Sequence, residues 1–274
     1  MKVTFYGTRG SIPVPESDFA EFGGNTACVL MTFSTGRIGI LDAGTGIRKL
    51  GNDLLAASHE QFDQIIIGLS HTHWDHIQGF PFFKFTREPR CHITLAICGR
   101  DTSFTTLESV FETQLQDYFF PVPLDKLGAK LTFWEPDLTE YTHPRGVDIV
   151  ASKHNHPGGA YGYRITEGGK TLVYCTDVEH GDEIDPKVVA LAKDADLLIH
   201  DAQYTPEELK DKKGWGHSSW EQAVEVAEQA GARRLALFHH DPDHPDAFLL
   251  DVEKEVQKRL TTAFLAREGM EVQL

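Results

Sequence analysis

Short apolar runs bounded by turn residues recur along this chain, and this pattern is typical of β-strands. Longer segments with apolar residues three and four positions apart lie between them and indicate amphipathic helices. The predicted strands are residues 3–7, 27–33, 38–41, 64–69, 92–97, 130–133, 148–152, 161–166, 171–175, 197–200 and 234–238. The predicted helices are residues 46–57, 102–116, 186–193, 218–230 and 246–263. Two sheets covered by helices follow from this order.

The helix from residue 218 has the clearest boundaries. Ser218 or Ser219 can cap its first turn, and Gly231 ends it after an apolar stripe. Gly168 and Gly169 lie between two strand-like runs and predict a hairpin turn. Because no repeat or linker interrupts the pattern, we expect one domain over residues 1–274.

The composition says more about the class of ligand than about the fold. Apolar residues make up 41% of the 274 residues and charged residues 24%, which is ordinary for a globular protein. The net charge of −15 opposes binding to a long nucleic acid, whose affinity depends largely on lysine and arginine. Divalent cations would offset part of this charge locally, so a small phosphorylated ligand stays compatible with it.

The sequence also predicts the cellular compartment of the protein. There is no apolar run long enough for a membrane helix, and the polar first residues do not resemble a secretory signal. The four cysteines are scattered without metal-finger spacing, so we interpret them as buried, reduced thiols. We therefore expect a cytoplasmic protein with no membrane partner.

Four metal-ligand side chains follow the apolar strand at residues 64–69: His71, His73, Asp75 and His76. Residues two apart in an extended chain point the same way, so His71 and His73 can hold one ion. Asp75 and His76 can then turn toward a second ion. Ordinary histidines rarely cluster this densely, and we interpret the segment as half of a two-metal hydrolase site.

This motif resembles that of the metallo-β-lactamase superfamily. The resemblance implies an α/β fold, a four-layer αββα sandwich with the metal site at one sheet edge. It continues at residues 155–159, 175–177 and 237–241, each of which follows or adjoins a predicted strand. It therefore extends over nearly the whole chain.

The resemblance also implies a set of ligands for two divalent metal ions. His71, His73 and His156 would hold one metal; Asp75, His76 and His239 would hold the other; Asp177 would bridge them. Asp75 is also counted among the catalytic residues. Imidazoles and carboxylates suit zinc or manganese, and a metal pair can lower the pKa of a shared water until it ionises near neutrality.

Two of these ligands have a rival nearby. His154 is the alternative to His156, which we favour because it precedes the Pro-Gly-Gly turn that the resemblance places there. His240 is the alternative to His239, which we favour because it continues an alternation through Leu235 and Leu237.

A second pair of residues narrows the reaction. Asp201 follows the predicted strand at 197–200, and His217 precedes the helix at 218–230. Both resemble residues of the phosphodiesterase branch, which includes transfer-RNA 3′-processing endonucleases and cyclic-phosphate diesterases. His217 would act as general acid for an alkoxide leaving group, and Asp201 would orient it. The alternative interpretation is a turn histidine and a loop acid without a catalytic role.

The spacing of the ligands argues for a small substrate. Asp177 follows His156 by 21 positions, which leaves room for a hairpin but not for an RNA-binding arm. Segments 7–11, 23–26 and 41–46 resemble phosphoribosyl cyclic-phosphate diesterases.

Four further residues have predicted roles near this site. Arg9 and Asn25 are candidates for contacting substrate or supporting the metal loops, or they are plain turn residues. His180 is a candidate substrate contact or an exposed loop histidine. Asp42 is expected to brace the metal-site histidines.

The sequence therefore predicts a dinuclear metal-dependent phosphodiesterase that cleaves a small or cyclic phosphodiester with metal-bound hydroxide and His217. The alternatives are a thioester or lactam hydrolase of the same fold, and a non-catalytic protein that senses a nucleotide or a metal. A homodimer is left open, because the aromatic runs at residues 80–83 and 118–123 are more often a core or a dimer face, although either run could also wall a base-binding pocket.

Overall fold

A computed structural model of the chain describes residues 1–57, 63–98, 106–136, 140–143 and 146–274. Within these residues the strands form two seven-stranded sheets. The first sheet contains β1 (Lys2–Gly7), β2 (Cys28–Thr32), β3 (Ile38–Leu41), β4 (Gln64–Gly68), β5 (His92–Ala96), β6 (Lys130–Trp134) and β14 (Glu271–Gln273). Its order is β14-β1-β2-β3-β4-β5-β6, with parallel pairing from β3 to β6.

The second sheet also combines parallel and antiparallel strands. It contains β7 (Glu140–His143), β8 (Val147–His154), β9 (Ala160–Glu167), β10 (Lys170–Cys175), β11 (Leu197–Asp201), β12 (Leu235–Phe238) and β13 (Ala263–Leu265). Its order is β13-β12-β11-β10-β9-β8-β7, antiparallel from β7 to β10 and parallel from β10 to β13.

Helices cover the outer face of each sheet. They are α1 (Ile47–Ala57), α2 (Trp74–Ile77), α3 (Leu107–Gln114), α4 (Pro186–Ala192), α5 (Pro206–Leu209), α6 (Trp220–Ala230) and α7 (Asp246–Arg259). α1 and α3 pack on the first sheet, whereas α4, α6 and α7 pack on the second. The predicted αββα sandwich is confirmed. No helix among the described residues is long and apolar enough to cross a membrane.

Two apolar cores hold these layers together. The larger one joins the sheets through residues such as Phe5, Tyr174 and Phe238, and the smaller one lies under α4, α6 and α7. Phe5 and Phe238 bring their ring centroids to 6.1 Å across the sandwich. All four cysteines are buried, as expected, and none of them forms a disulfide bond within the described residues.

The differences from the predicted elements are short or terminal. β7, β13, β14, α2 and α5 have three or four residues each, too few to show a period. The helix predicted to end at 263 ends at Arg259, because residues 263–265 pair in parallel with β12 instead. The helix predicted at 102–116 begins at Leu107, where Thr106 caps it; residues 102–105 lie outside the described residues.

The parallel strands bring the predicted ligands to one edge. β4 leads to His71, β10 to Asp177, β11 ends at Asp201 and β12 leads to His239. β8 runs in the same direction as β10, since both are antiparallel to β9, and it leads to His156. Ligand sites in such sheets lie beyond the carboxyl ends of the strands.

Candidate metal centre

The backbone is strained where three of the site residues leave their strands. Asp42, Asp177 and His239 have positive φ angles of 59°, 55° and 65°. Residues other than glycine rarely adopt this left-handed conformation, and it concentrates at functional sites. Each of these side chains is thereby turned back into the edge of the sandwich.

The first group of ligand atoms comes from three histidines. Atoms of His71, His73 and His156 lie within 4.8 Å of one another. His73 Nδ1 is 3.0 Å from His156 Nε2. His71 Nε2 is buried without a hydrogen-bond partner among the described residues. An unsatisfied imidazole nitrogen is costly in a protein interior, so its position fits a metal ligand.

The second group is fully buried and contains Asp75, His76, Asp177 and His239. Asp75 Oδ2 is 3.1 Å from His239 Nε2 and 3.3 Å from His76 Nε2. Ser11 donates its backbone N–H to the same carboxylate oxygen over 2.8 Å. Nitrogen and oxygen atoms that can act as ligands therefore converge on one point.

Asp177 lies between the two groups. Its Oδ1 is 3.7 Å from His71 Nε2 and 3.8 Å from His156 Nε2. Its Oδ2 is 3.1 Å from His76 Nε2 and 3.4 Å from His239 Nε2. One oxygen faces each group, which is the arrangement that a bridging carboxylate requires.

Three of the histidines are oriented by acceptors behind them. His76 Nδ1 donates to Asp42 Oδ2 over 2.8 Å, and Asp42 also accepts from Ser70 and from the Tyr174 hydroxyl. His156 Nδ1 donates to the Gly216 carbonyl over 2.8 Å. His239 Nδ1 donates to Gln203 Oε1 over 3.0 Å. Each bond leaves Nε2 with its lone pair turned toward the centre, as in known metal sites.

The electrostatics favour cation binding. Burial lowers the pKa of His71 well below its usual range, and burial also lowers the pKa values of His73 and His156. Neutral imidazole is the form that binds metals. Burial would raise the pKa of Asp177, but the histidines around it outweigh this effect and hold the pKa well below its usual value. Its carboxylate therefore stays charged.

His217 and Asp201 form a pair whose possible ligand atoms also cluster with those of Asp177 and His239. His217 Nδ1 donates to Asp201 Oδ2 over 2.9 Å, and the His217 ring stacks on His239 with centroids 5.0 Å apart. Asp201 is itself fixed, because its oxygens accept from the backbone N–H groups of Asp177 and Ser218. Burial opposes the charged imidazole, but the Asp201 carboxylate outweighs it and raises the pKa of His217 to about 9.

The two rival histidines point elsewhere. His154 Nε2 donates to the Thr176 carbonyl, and His240 Nε2 donates to the Ala266 carbonyl. Neither belongs to the groups of clustered ligand atoms, whereas His156 and His239 do.

The three candidate substrate contacts form hydrogen bonds with residues outside the clustered ligand atoms, and contact with substrate stays a prediction for them. Arg9 is fully buried, and its guanidinium donates to the carbonyls of Gly23, Asp241 and His244. A buried guanidinium bound to these carbonyls supports the loop after His239, which is one of the two functional roles predicted for Arg9.

Asn25 and His180 are engaged in a similar way. The side chain of Asn25 and its backbone N–H both donate to Glu268. His180 is buried, accepts from the Asp185 N–H at Nδ1, and lies 3.3 Å from His200 Nε2.

Several residues that support the site were not predicted. Gln203 orients His239, Gly216 supplies the carbonyl for His156, and Ser11 binds Asp75. Glu179 accepts from the N–H groups of Gly214 and Gly216. The sequence signals are weak: the glycines around Trp215 mark a turn, and Gln203 stands two positions after Asp201.

The family model described as Beta-lactamase superfamily domain matches residues 39–240, a range that includes every candidate ligand from His71 to His239. The chain belongs to this superfamily. "Probable metallo-hydrolase YhfI" of Bacillus subtilis (strain 168) is 28% identical over 87% of this chain and 86% of its own length. "Ribonuclease Z" of Thermoplasma acidophilum is 26% identical over 94% of this chain and 92% of its own length.

Solved structures agree on the fold. The crystal structure of YhfI from Bacillus subtilis superimposes with a TM-score of 0.72 at 25% identity and covers 99% of this chain and 98% of that one. A new diphosphatase from the PhnP family gives 0.71 at 19% identity, covering 100% and 97%. This chain is accordingly a metal-binding hydrolase of the metallo-β-lactamase fold.

Proposed function

We propose that this protein is a dinuclear metal-dependent phosphodiesterase that hydrolyses a small or cyclic phosphodiester. The observation that carries the proposal is the Asp201–His217 pair, held 2.9 Å apart beside two adjoining groups of metal-ligand atoms. Relatives named Ribonuclease Z, whose name implies cleavage of phosphodiester bonds, support the same class of reaction.

Two divalent ions fit the side chains that converge here. His71, His73 and His156 would hold one ion, Asp75, His76 and His239 the other, and Asp177 would bridge them through its two oxygens. The mixture of imidazole and carboxylate suits zinc or manganese. When bound, such ions polarise phosphoryl oxygens and lower the pKa of a water molecule between them.

His217 supplies the proton that the leaving group needs. Its Nδ1–H is engaged by Asp201, so Nε2, on the opposite side of the ring, is the atom free to donate. An alkoxide is a poor leaving group, and a positioned acid accelerates its departure by about 10²- to 10⁴-fold. Asp201 keeps the ring in this orientation, and its own oxygens are held by backbone N–H groups.

The loops around the site support a small substrate. Between His156 and Asp177 the chain forms only a glycine turn and the β9–β10 hairpin, which is a regular part of the second sheet. This stretch contains no projecting arm that could hold RNA. The net charge of −15 also opposes a long polyanion.

The test begins with metal analysis, for which we expect two ions per chain. The loaded protein is then assayed with bis-aryl phosphate, 2′,3′- and 3′,5′-cyclic nucleotides, phosphoribosyl cyclic phosphate, precursor transfer RNA, a thioester and a lactam. We expect hydrolysis of the small diesters. A loaded protein without diesterase activity would refute the proposal. Turnover of the thioester or lactam alone would assign another hydrolysis, and binding without turnover would indicate a sensor.

The role of His217 has its own test. We expect His217→Ala to lower kcat about 10²- to 10⁴-fold with an alkoxide leaving group, while the metal content stays unchanged. With a nitrophenolate leaving group, which needs little protonation, the loss should be much smaller. His92→Ala is the matched control, since His92 lies at the start of β5, away from the edge that carries the ligands. Equal losses with both leaving groups would contradict general acid catalysis.

A further inference from the structure

Three large apolar side chains are exposed on the loops that form the metal centre. Ile12, Trp74 and Trp215 have exposed fractions of 58%, 72% and 58%. Each is a chain neighbour of a site residue. Ile12 follows Ser11, whose N–H binds Asp75 Oδ2, and Trp74 lies between two metal ligands. Trp215 precedes Gly216, whose carbonyl accepts from His156.

Trp215 is presented by a rigid loop. Glu179 accepts from the N–H groups of Gly214 and Gly216, each over 2.7 Å, so one carboxylate fixes the residues on both sides of the tryptophan. The two glycines have φ angles of +85° and +91°, which other residues rarely adopt. Lys212 Nζ lies 4.0 Å from the centroid of the indole ring. The ring is therefore held in an outward position.

Trp74 is fixed in a different way. It opens α2, and both of its neighbours, His73 and Asp75, belong to the clustered ligand atoms. Consecutive Cα atoms are about 3.8 Å apart, so the backbone of Trp74 cannot move independently of the metal centre. Its side chain is nevertheless directed to solvent.

Exposed tryptophan directly beside residues of the candidate metal centre indicates recognition. Large exposed apolar surface is unfavourable in water and usually marks a binding site. A rigid indole binds a flat ring by stacking, with little loss of side-chain entropy. Stacking of this kind tolerates different bases, because each has a π face.

We propose that Trp74 and Trp215, flanked by Ile12, bind a planar aromatic ring on the substrate. The phosphodiester then carries a nucleobase or another aryl group, and Glu179 is a positioning residue for Trp215. This inference rests on the proposed function, since it names the chemical class of the diester that the metal centre cleaves.

The first test compares two cyclic diesters that differ only in the base. In Trp74→Ala and Trp215→Ala we expect KM for a 2′,3′-cyclic nucleotide to rise about tenfold. KM for the base-free ribose cyclic phosphate should stay within about twofold, and Trp→Phe at either position should restore most of the affinity. The control is Ile66→Ala, which removes an exposed apolar side chain from the middle of β4, outside the loops that carry the ligands. Equal effects on both diesters would overturn the inference.

The second test does not depend on turnover. Adenosine monophosphate should quench the tryptophan fluorescence of the metal-loaded protein, ribose 5-phosphate should not, and the Trp74→Ala/Trp215→Ala double variant should lose the effect. Phenyl phosphate separates a general aryl site, which it would occupy, from a site selective for nucleobases. Quenching without any diesterase activity would refute the proposed function but support the ring site. The absence of quenching in an active enzyme would refute the ring site alone.

The alternative is that a second copy of the chain covers the two tryptophans. Sedimentation measurements distinguish this contact from a ring-binding site. If wild-type protein is a dimer that Trp74→Ala converts to a monomer while KM for the cyclic nucleotide stays constant, the tryptophans form a contact between copies and the inference fails. If the variant keeps the sedimentation behaviour of the wild type and loses affinity for the base, the inference stands.

Discussion

Asp42→Asn tests whether the bonds behind His76 control the metal centre. Asp42 is fully buried, and its two oxygens accept from the Ser70 N–H and hydroxyl, the Tyr174 hydroxyl and His76 Nδ1. Asparagine keeps the size of the side chain but offers one oxygen and an NH₂ group. In the better orientation the oxygen faces His76 and Tyr174, and the NH₂ group then opposes the N–H of Ser70, 2.7 Å from Oδ1.

The magnitude follows from these contacts. A buried donor that faces another donor, as the Ser70 N–H would, costs about 1–3 kcal/mol. The remaining hydrogen bonds are also weaker, because their acceptor is now a neutral amide oxygen and not a charged carboxylate oxygen. We expect the free energy of unfolding of the metal-free protein to fall by about 2–4 kcal/mol. Because His76 loses a carboxylate that fixes its ring, the affinity for metal should fall about 10- to 100-fold.

The assays are urea unfolding of the metal-free protein and metal competition against a chelator of known affinity. Tyr174→Phe is the matched control, since it removes one bond to Asp42 but leaves the contact with His76 intact. It should cost about 1 kcal/mol of stability and little metal affinity. If Asp42→Asn binds metal as tightly as the wild type, Asp42 does not orient His76 as inferred.

Three further predictions concern the loops and the buried histidines. A Cβ atom at Gly216 would lie 2.2 Å from His156 Nδ1, so Gly216→Ala should displace His156 and lower metal affinity about tenfold or more in the same competition assay. Burial lowers the pKa of His240 to about 3. The neutral imidazole therefore stabilises the folded protein fully above pH 6.5, and this stabilisation is lost as the pH falls toward 3. His240→Gln can keep the bond to the Ala266 carbonyl. Between pH 3 and 6.5 we expect its free energy of unfolding, measured with urea, to fall less steeply with pH than that of the wild type, by about 1.4 kcal/mol per pH unit. An unchanged slope would contradict a neutral, buried His240. Asp177→Asn should lower the metal content from two ions toward one or none by elemental analysis, and a full complement would argue against a bridging role.

The sequence predicts those parts of the site that local order determines. His71, His73, Asp75 and His76 are adjacent in the chain, so a pattern of ligand residues after one strand was sufficient to find them. Distant ligands such as His156 were found because the same resemblance continues at later strand ends. The parallel strands then place these ends at one edge, which is a property of the fold and not of any single segment.

The parts that the sequence did not predict depend on backbone groups that meet in space. Gln203, Glu179 and Gly216 act through bonds to residues 35 or more positions away, and no local pattern marks such partners. Arg9 was assigned two possible functional roles, substrate contact and support of the metal loops. Its Nη1 donates to two carbonyls of the loop after His239, which fits the second role, whereas its buried Nη2 has no hydrogen-bond partner among the described residues.

The loop at residues 8–10 matters for the metal centre because it holds the strained residue His239 in place. His239 leaves β12 with a left-handed backbone, which is unfavourable unless the surroundings hold it in place. The loop at residues 8–10 does so: the Gly10 N–H binds the His240 carbonyl, the His240 N–H binds the Thr8 carbonyl, and Arg9 binds the carbonyls beyond. A Cβ atom at Gly10 would also lie 2.5 Å from His239 Nδ1, so only glycine permits this approach. The turn after β1 therefore positions a candidate metal ligand that lies more than 200 residues away in the sequence.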